Sequence, residues 1–272
     1  MSLNFNRFNN AKSYGLTVVA LAFVFGFTSP GFVQQETEKQ KPAVSESQVP
    51  SKPLTLESLK QKYQQRGEAK WEKKMQELES VNEAEGAWPR ESLLFYGSSS
   101  FRRWETMNAD MVPFPGINRG YGGAKYVDMF LFAERMLKPH DYRALMLFSA
   151  NDVKGEDKDS SPEEVECAVQ EIIRVSKAHR PDAPIFIVEI TPTESRWGNW
   201  EQTRVINATL REIALTTENT WFIATAQHYL NADDTPKKEY FVDDKLHLNE
   251  KGYRKWAELI KVQLNSFLPA IK

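Results

Sequence analysis

The chain has 272 residues, 41% of them hydrophobic, which is enough apolar material for one large domain and a short additional segment. Its 35 basic and 37 acidic side chains nearly cancel to a formal net charge of −2, leaving no basic excess to hold a nucleic acid. A single cysteine, Cys167, excludes an internal disulfide and any multi-cysteine metal centre; within Glu-Cys-Ala-Val it reads as a packed, inert thiol.

In chain order, Arg7 and Lys12 precede 23 uncharged residues from Ser13 to Gln35, with an apolar heart at Leu16–Phe27. A basic stretch followed by an apolar one predicts, for residues 1–35, either a signal peptide or an N-terminal membrane anchor. Both put the rest of the chain outside the cytoplasmic membrane, because positive charge stays inside. The expected location is therefore exported, whether periplasmic, extracellular or attached to the membrane through this segment. Residues 36–54 are rich in Glu, Gln, Lys, Ser and Pro and read as a flexible linker. Over 55–86, Leu56, Leu59, Tyr63, Trp71, Met75 and Leu78 recur at three- and four-residue spacing and predict an amphipathic helix on the flank of the domain, with Gly67 as its weak point.

The domain proper is expected over 87–272, where apolar runs alternate with helical patterns. Leu93–Tyr96, a short run closing at Ile117–Asn118, Ala144–Phe148, Ile185–Ile190 and Thr220–Ala224 are candidate strands. Their runs are continuous rather than alternating, as in strands buried on both faces. Ser161-Pro162-Glu163-Glu164 is a capping box with proline at the first helical position, and it opens a helix with Val165, Ala168, Val169 and Ile172 on one face. A last helix after Asn249 carries Tyr253, Trp256, Ile260, Leu264 and Phe267. The alternation predicts an α/β fold, a three-layer α/β/α sandwich on a five-stranded parallel sheet. In such sheets the site lies beyond the carboxyl ends of the strands.

Three polar segments fall on that edge. Gly97-Ser98-Ser99-Ser100 follows the first strand, Asn118-Arg119-Gly120-Tyr121-Gly122-Gly123 the second, and Ser149-Ala150-Asn151-Asp152 the third. Near the end of the chain, Asp244-Lys245-Leu246-His247 sets a carboxylate three residues before one of only four histidines. A nucleophile, a base, an orienting carboxylate and oxyanion donors are the parts of an acyl-transfer site. Each segment also has a plain structural reading. The serines could cap the helix expected near Phe101, the glycines could form a tight turn or a phosphate cradle, and Asn-Asp is an ordinary turn. No P-loop lysine accompanies the glycines, and no His-Glu-x-x-His spacing suggests zinc. His140, His179 and His228 lack the Asp-x-x-His context and read as surface or structural.

These four blocks, in this order, resemble the SGNH hydrolases, also called GDSL-like lipases and acylhydrolases, over about Trp88 to Leu264. The resemblance implies the flavodoxin-like form of the fold, no metal and no cofactor. It aligns Gly97-Ser98-Ser99 with the family's Gly-Asp-Ser, so that Ser99 is the implied nucleophile and Ser98 replaces the aspartate; Gly-Ser-Ser-Ser-Phe-Arg-Arg-Trp resembles a sub-type of the family. It further implies His247 as base and Asp244 as its orienter. The implied oxyanion donors are the N–H groups of Ser99 and Gly123 and the side chain of Asn151, with Ser149 where the family has glycine.

The expected activity is hydrolysis of short acyl esters, acetyl among them, on small molecules or polysaccharides. A lysophospholipase-like acylhydrolase is the alternative within the enzyme class. A non-catalytic, envelope-tethered binding module is the alternative outside it. Trp197, Trp200 and Tyr229 are expected either to line a pocket or to pack in the core.

Overall fold

The computed structural model describes residues 54–268; the expected signal or anchor segment, nearly all of the linker and the last four residues lie outside the described residues. Five apolar runs form the strands β1 (Leu93–Gly97), β2 (Gly116–Gly120), β3 (Ala144–Phe148), β4 (Ile185–Val188) and β5 (Thr220–Ile223). All pair in parallel, in the order β2-β1-β3-β4-β5. β4 and β5 end slightly before the expected limits. At the end of β4 the Glu189 carboxylate accepts from the Thr225 and Ala226 N–H groups, which turns the chain away from the ladder.

Among the described residues, eight α-helices cover the sheet: α1 (Leu56–Glu85), α2 (Ser99–Arg102), α3 (Met107–Asp110), α4 (Tyr126–Met129), α5 (Ala133–Leu137), α6 (Pro162–His179), α7 (Trp200–Thr216) and α8 (Glu250–Phe267). Alternate strand residues enter two separate cores. Leu94, Tyr96, Leu145 and Leu147 pack with α1, α4, α5, α6 and α7. Leu93, Phe95, Met146 and Phe148 pack with α2, α3 and α8. This is the three-layer sandwich expected from the run-and-helix alternation, built because a parallel sheet must bury both faces. α6 opens with the expected capping box. Phe267, at the end of α8, remains partly exposed and stacks on Trp221 at 3.7 Å between ring centroids.

The long helix α1 belongs to the first core. Leu59, Tyr63, Trp71, Met75 and Leu78 are buried, and Thr55 and Ser58 form a capping box at its start. Ion pairs from Arg66 to Asp128 (2.9 Å) and from Arg135 to Glu72 and Glu79 (both 2.7 Å) fasten it to the layer beneath. Gly67 marks a close approach, since a Cβ there would collide with Leu131 Cδ1. Gly67→Ala is expected to be nearly neutral, because its gain of about 1 kcal/mol in helix propensity offsets displacement of a mobile methyl group. Gly67→Phe is expected to lower stability by about 1–3 kcal/mol through overpacking. Thermal unfolding checks both; a Phe variant as stable as the parent would show that the contact yields freely.

The strand order reverses direction between β1 and β3, and in doubly wound sheets the crevice at that switch point receives ligands. The segments that follow β1 and β3 begin at Ser98 and Ser149.

Candidate active site

β1 ends at Gly97, the Ser98 N–H continues the ladder to the Phe148 carbonyl (3.0 Å), and α2 starts at Ser99, two residues before the expected start. Ser98 is buried and its side chain makes no capping bond. Ser99 Oγ lies 2.9 Å from His247 Nε2, across 148 residues of sequence.

His247 is presented by a tight loop. Phe241 and Leu248 form an isolated antiparallel bridge, and the Val242 N–H donates to the His247 carbonyl at 2.9 Å. Lys245 adopts φ +56°, the left-handed turn that folds Asp244 back beneath the histidine. Asp244 Oδ1 accepts from the backbone N–H groups of Leu246 and His247, both at 2.9 Å. Asp244 Oδ2 accepts from His247 Nδ1 at 2.7 Å and from Arg103 Nη1 at 3.0 Å. Partial burial alone would raise the Asp244 pKa, but these four donors outweigh it and hold the carboxyl well below the usual range. An ionised carboxylate only accepts, so Nδ1 carries the ring proton and Nε2 is left to accept from Ser99 Oγ–H. Asn249 then caps α8 by accepting from the Gly252 N–H at 3.0 Å.

The loop after β3 supplies Asn151. Ser149 Oγ donates to the Ala124 carbonyl (2.8 Å) and lies 3.1 Å from Asp152 Oδ2, so the serine in place of glycine stitches this loop to the glycine-rich one. Asn151 Nδ2 also donates to the Ala124 carbonyl, at 2.8 Å. Gly123 adopts φ +82°, which an L side chain would strain, and its turn holds that carbonyl beside Asn151. Ser99, Asn151 and His247 line one cavity together with Thr191, Thr193 and Arg196; Gly123 is outside its lining and adjoins it through Ala124. The cavity is small, about 30 Å³, where a single water needs about 10–15 Å³.

Two side chains at the site went unread in the sequence. Arg103 stands four residues after Ser99, one turn of chain further on, a spacing that any surface arginine could have. Arg196, in the loop after β4, donates from Nη1 to the Ala150 carbonyl and from Nη2 to Asn151 Oδ1 at 2.9 Å; no local pattern signals contacts 45 and 46 residues away. Trp197 and Trp200 stack with 5.9 Å between centroids and line an open cleft with Arg204 and Gln227. Tyr229 is fully buried and donates to the Gly252 carbonyl at 2.9 Å, so it packs the core. His140 is also buried, and burial pushes its pKa down to about 4; His179 Nε2 lies 2.9 Å from the His140 carbonyl. His228 is exposed.

Asp152 is wholly buried and accepts from the Tyr126 N–H at 2.9 Å; burial outweighs this bond and raises its pKa from 3.8 to about 6. A folded-state pKa above the unfolded value gives stability at low pH that is lost as pH rises. Between about pH 4 and pH 6 the native chain is therefore expected to lose on the order of 2–3 kcal/mol relative to Asp152→Asn, and nothing further above that window. Unfolding midpoints of the two proteins across pH check this; a constant difference from pH 4 to 7 would contradict it.

The sequence model of the GDSL-like lipase/acylhydrolase family matches residues 84–255. Among solved structures, a Streptococcus pneumonia protein provisionally described as a platelet activating factor shares 21% identity at a TM-score of 0.63, covering 75% of this chain and 97% of its own. A Bacteroides fragilis protein provisionally described as an acylhydrolase shares 16% at 0.61, covering 71% and 97%. A GDSL-like lipase from Bacteroides thetaiotaomicron shares 16% at 0.59, covering 71% and 98%. At these identities the likeness is one of fold. Comparison with curated protein sequences finds no match.

Proposed function

The chain belongs to the GDSL-like lipase/acylhydrolase family and is an ester-bond hydrolase, and from that premise we propose that it cleaves short acyl esters with Ser99 as nucleophile, His247 as base and Asp244 as the orienting carboxylate. The observation that carries the reading is the hydrogen-bonded series Ser99 Oγ, His247 Nε2, His247 Nδ1, Asp244 Oδ2, opening into the cavity shared with Asn151. As Ser99 Oγ attacks the ester carbonyl, its proton passes to His247 Nε2 and Asp244 stabilises the imidazolium. The oxyanion takes hydrogen bonds from the Ser99 and Gly123 N–H groups and from Asn151 Nδ2. Collapse of the tetrahedral intermediate expels the alcohol, which takes the proton from His247. Water, activated by the same nitrogen, then releases the acid and restores Ser99.

The small cavity supports an acyl group of acetyl size over a fatty chain. The stacked Trp197 and Trp200 support a carbohydrate as the alcohol, since a sugar ring can lie on an exposed indole face. A fluorophosphonate probe is expected to label Ser99 alone, and hydrolysis of p-nitrophenyl esters to fall steeply from acetate to octanoate. Absence of labelling would favour a binding module, and a preference for octanoate would favour a lipase.

Asn151→Ala is expected to lower kcat roughly 10²–10³-fold with little change in KM, because its amide addresses charge that exists only in the transition state. An unchanged kcat would reduce Ser149–Asp152 to an ordinary turn.

Export through residues 1–35 is part of the same proposal. No helix among the described residues is long and apolar enough to cross a membrane. N-terminal sequencing of the mature protein and fractionation of cells distinguish a cleaved signal from a retained anchor; an intact Met1 in the cytosolic fraction would overturn export.

A further inference from the structure

Asn151 can serve an oxyanion only if its amide nitrogen, and not its oxygen, faces the cavity. An asparagine side chain is nearly symmetric in shape, so the choice rests on its partners. Here there are two. Arg196 Nη2 donates to Asn151 Oδ1 at 2.9 Å, and Asn151 Nδ2 donates to the Ala124 carbonyl at 2.8 Å. A guanidinium can only donate and a backbone carbonyl can only accept. Flipping the amide would set two donors against each other at Arg196 and two acceptors at Ala124. The remaining N–H of Nδ2 has no partner among the described residues, and Asn151 lines the same cavity as Ser99 and His247.

Arg196 is itself held for this contact. Its other terminal nitrogen donates to the Ala150 carbonyl, the residue before Asn151, so the fork spans two consecutive residues of the loop. Among the described residues no carboxylate lies within ion-pair distance of it, and burial lowers its pKa although Asp159, Glu156 and Asp152 act to raise it. A half-buried, unpaired cation is a costly way to brace a loop that a neutral amide could brace. A charge on Asn151 Oδ1 polarises the amide and strengthens the N–H that remains, as hydrogen bonds in series do at low dielectric.

We propose that Arg196 is a positioning residue that fixes the amide of Asn151 with its nitrogen toward the cavity and strengthens it as an oxyanion donor. The inference rests on the assignment of Asn151 as that donor. Arg196 acts through Asn151 and needs no contact with the substrate.

A double-mutant cycle on a p-nitrophenyl acetate assay tests it, with kcat and KM measured separately for Arg196→Gln, Asn151→Ala and the double variant of the full chain. Arg196→Gln is expected to lower kcat roughly 10–100-fold with KM nearly unchanged. In the Asn151→Ala background the same change is expected to cost less than about twofold, because the group it acts through is gone. Arg196→Lys keeps the charge but lacks the fork, and is expected to fall between the native enzyme and Arg196→Gln. It also answers the question should the glutamine variant not fold. Losses that multiply in full in the double variant would overturn the inference, as would a raised KM at constant kcat, which marks a substrate contact. Native activity in Arg196→Gln beside a slow Asn151→Ala would overturn it alone. A fully active Asn151→Ala would remove the oxyanion assignment and the inference together.

Discussion

Ser99→Ala is expected to lower kcat for a short p-nitrophenyl ester by roughly 10⁴–10⁶-fold, or about 5–8 kcal/mol of transition-state stabilisation. Removing Oγ ends the covalent route and leaves only the binding cavity and the remaining oxyanion donors. The fold should be unaffected. Ser99 sits at the first position of α2, and its backbone carbonyl still accepts from the Arg103 N–H at 2.9 Å in the variant. Ser98→Ala and Ser100→Ala are the comparisons that matter, because three serines stand in a row. Ser98 is buried, and only Ser99 reaches His247. A dead Ser98 variant beside an active Ser99 variant would move the nucleophile by one residue.

His247→Ala is expected to produce a loss of similar size, and the Ser99→Ala/His247→Ala pair no greater a loss than either alone, because the two act as a unit. His228→Ala should keep its activity, because the ring bonded to Ser99 Oγ is that of His247. Asp244→Asn is expected to cost roughly 10²–10⁴-fold. Its amide can no longer accept at both oxygens, so the Nδ1 proton loses its partner while Arg103 and the backbone donors lose a charge. Stopped assays with active-site titration separate these outcomes from a fall in folded enzyme. Equal losses in His228→Ala and His247→Ala would remove the case for a unique base.

The residues expected to do this chemistry were legible because each lies next to a local signal. Ser99 follows an apolar run that ends in glycine. Asn151 follows another such run. Asp244 and His247 share a four-residue loop whose turn at Lys245 brings them together with no help from the rest of the chain. Arg103 and Arg196 carry no such signal. An arginine four residues past a serine, or one before a tryptophan, is compatible with any surface. Tyr229 and Trp200 looked alike as aromatics after a strand, yet one is buried against Gly252 and the other opens onto a cleft. Aromatic residues serve both ends equally well, and only their neighbours decide.

Short stretches of the chain are enough to specify the kind and order of the elements, the two-sided burial of the sheet and the edge on which the polar segments meet. These follow from periodicity, capping and turn chemistry, which act over a few residues, and from the rule that parallel strands share a direction. The tertiary structure alone decided which long-range partners fill the space between those segments. It set the guanidinium of Arg196 on Asn151, that of Arg103 on Asp244, and Gly67 of α1 against Leu131. Each of these contacts joins groups that are dozens to more than a hundred residues apart. Their occurrence depends on the packing of whole layers, and no short stretch of sequence contains that information.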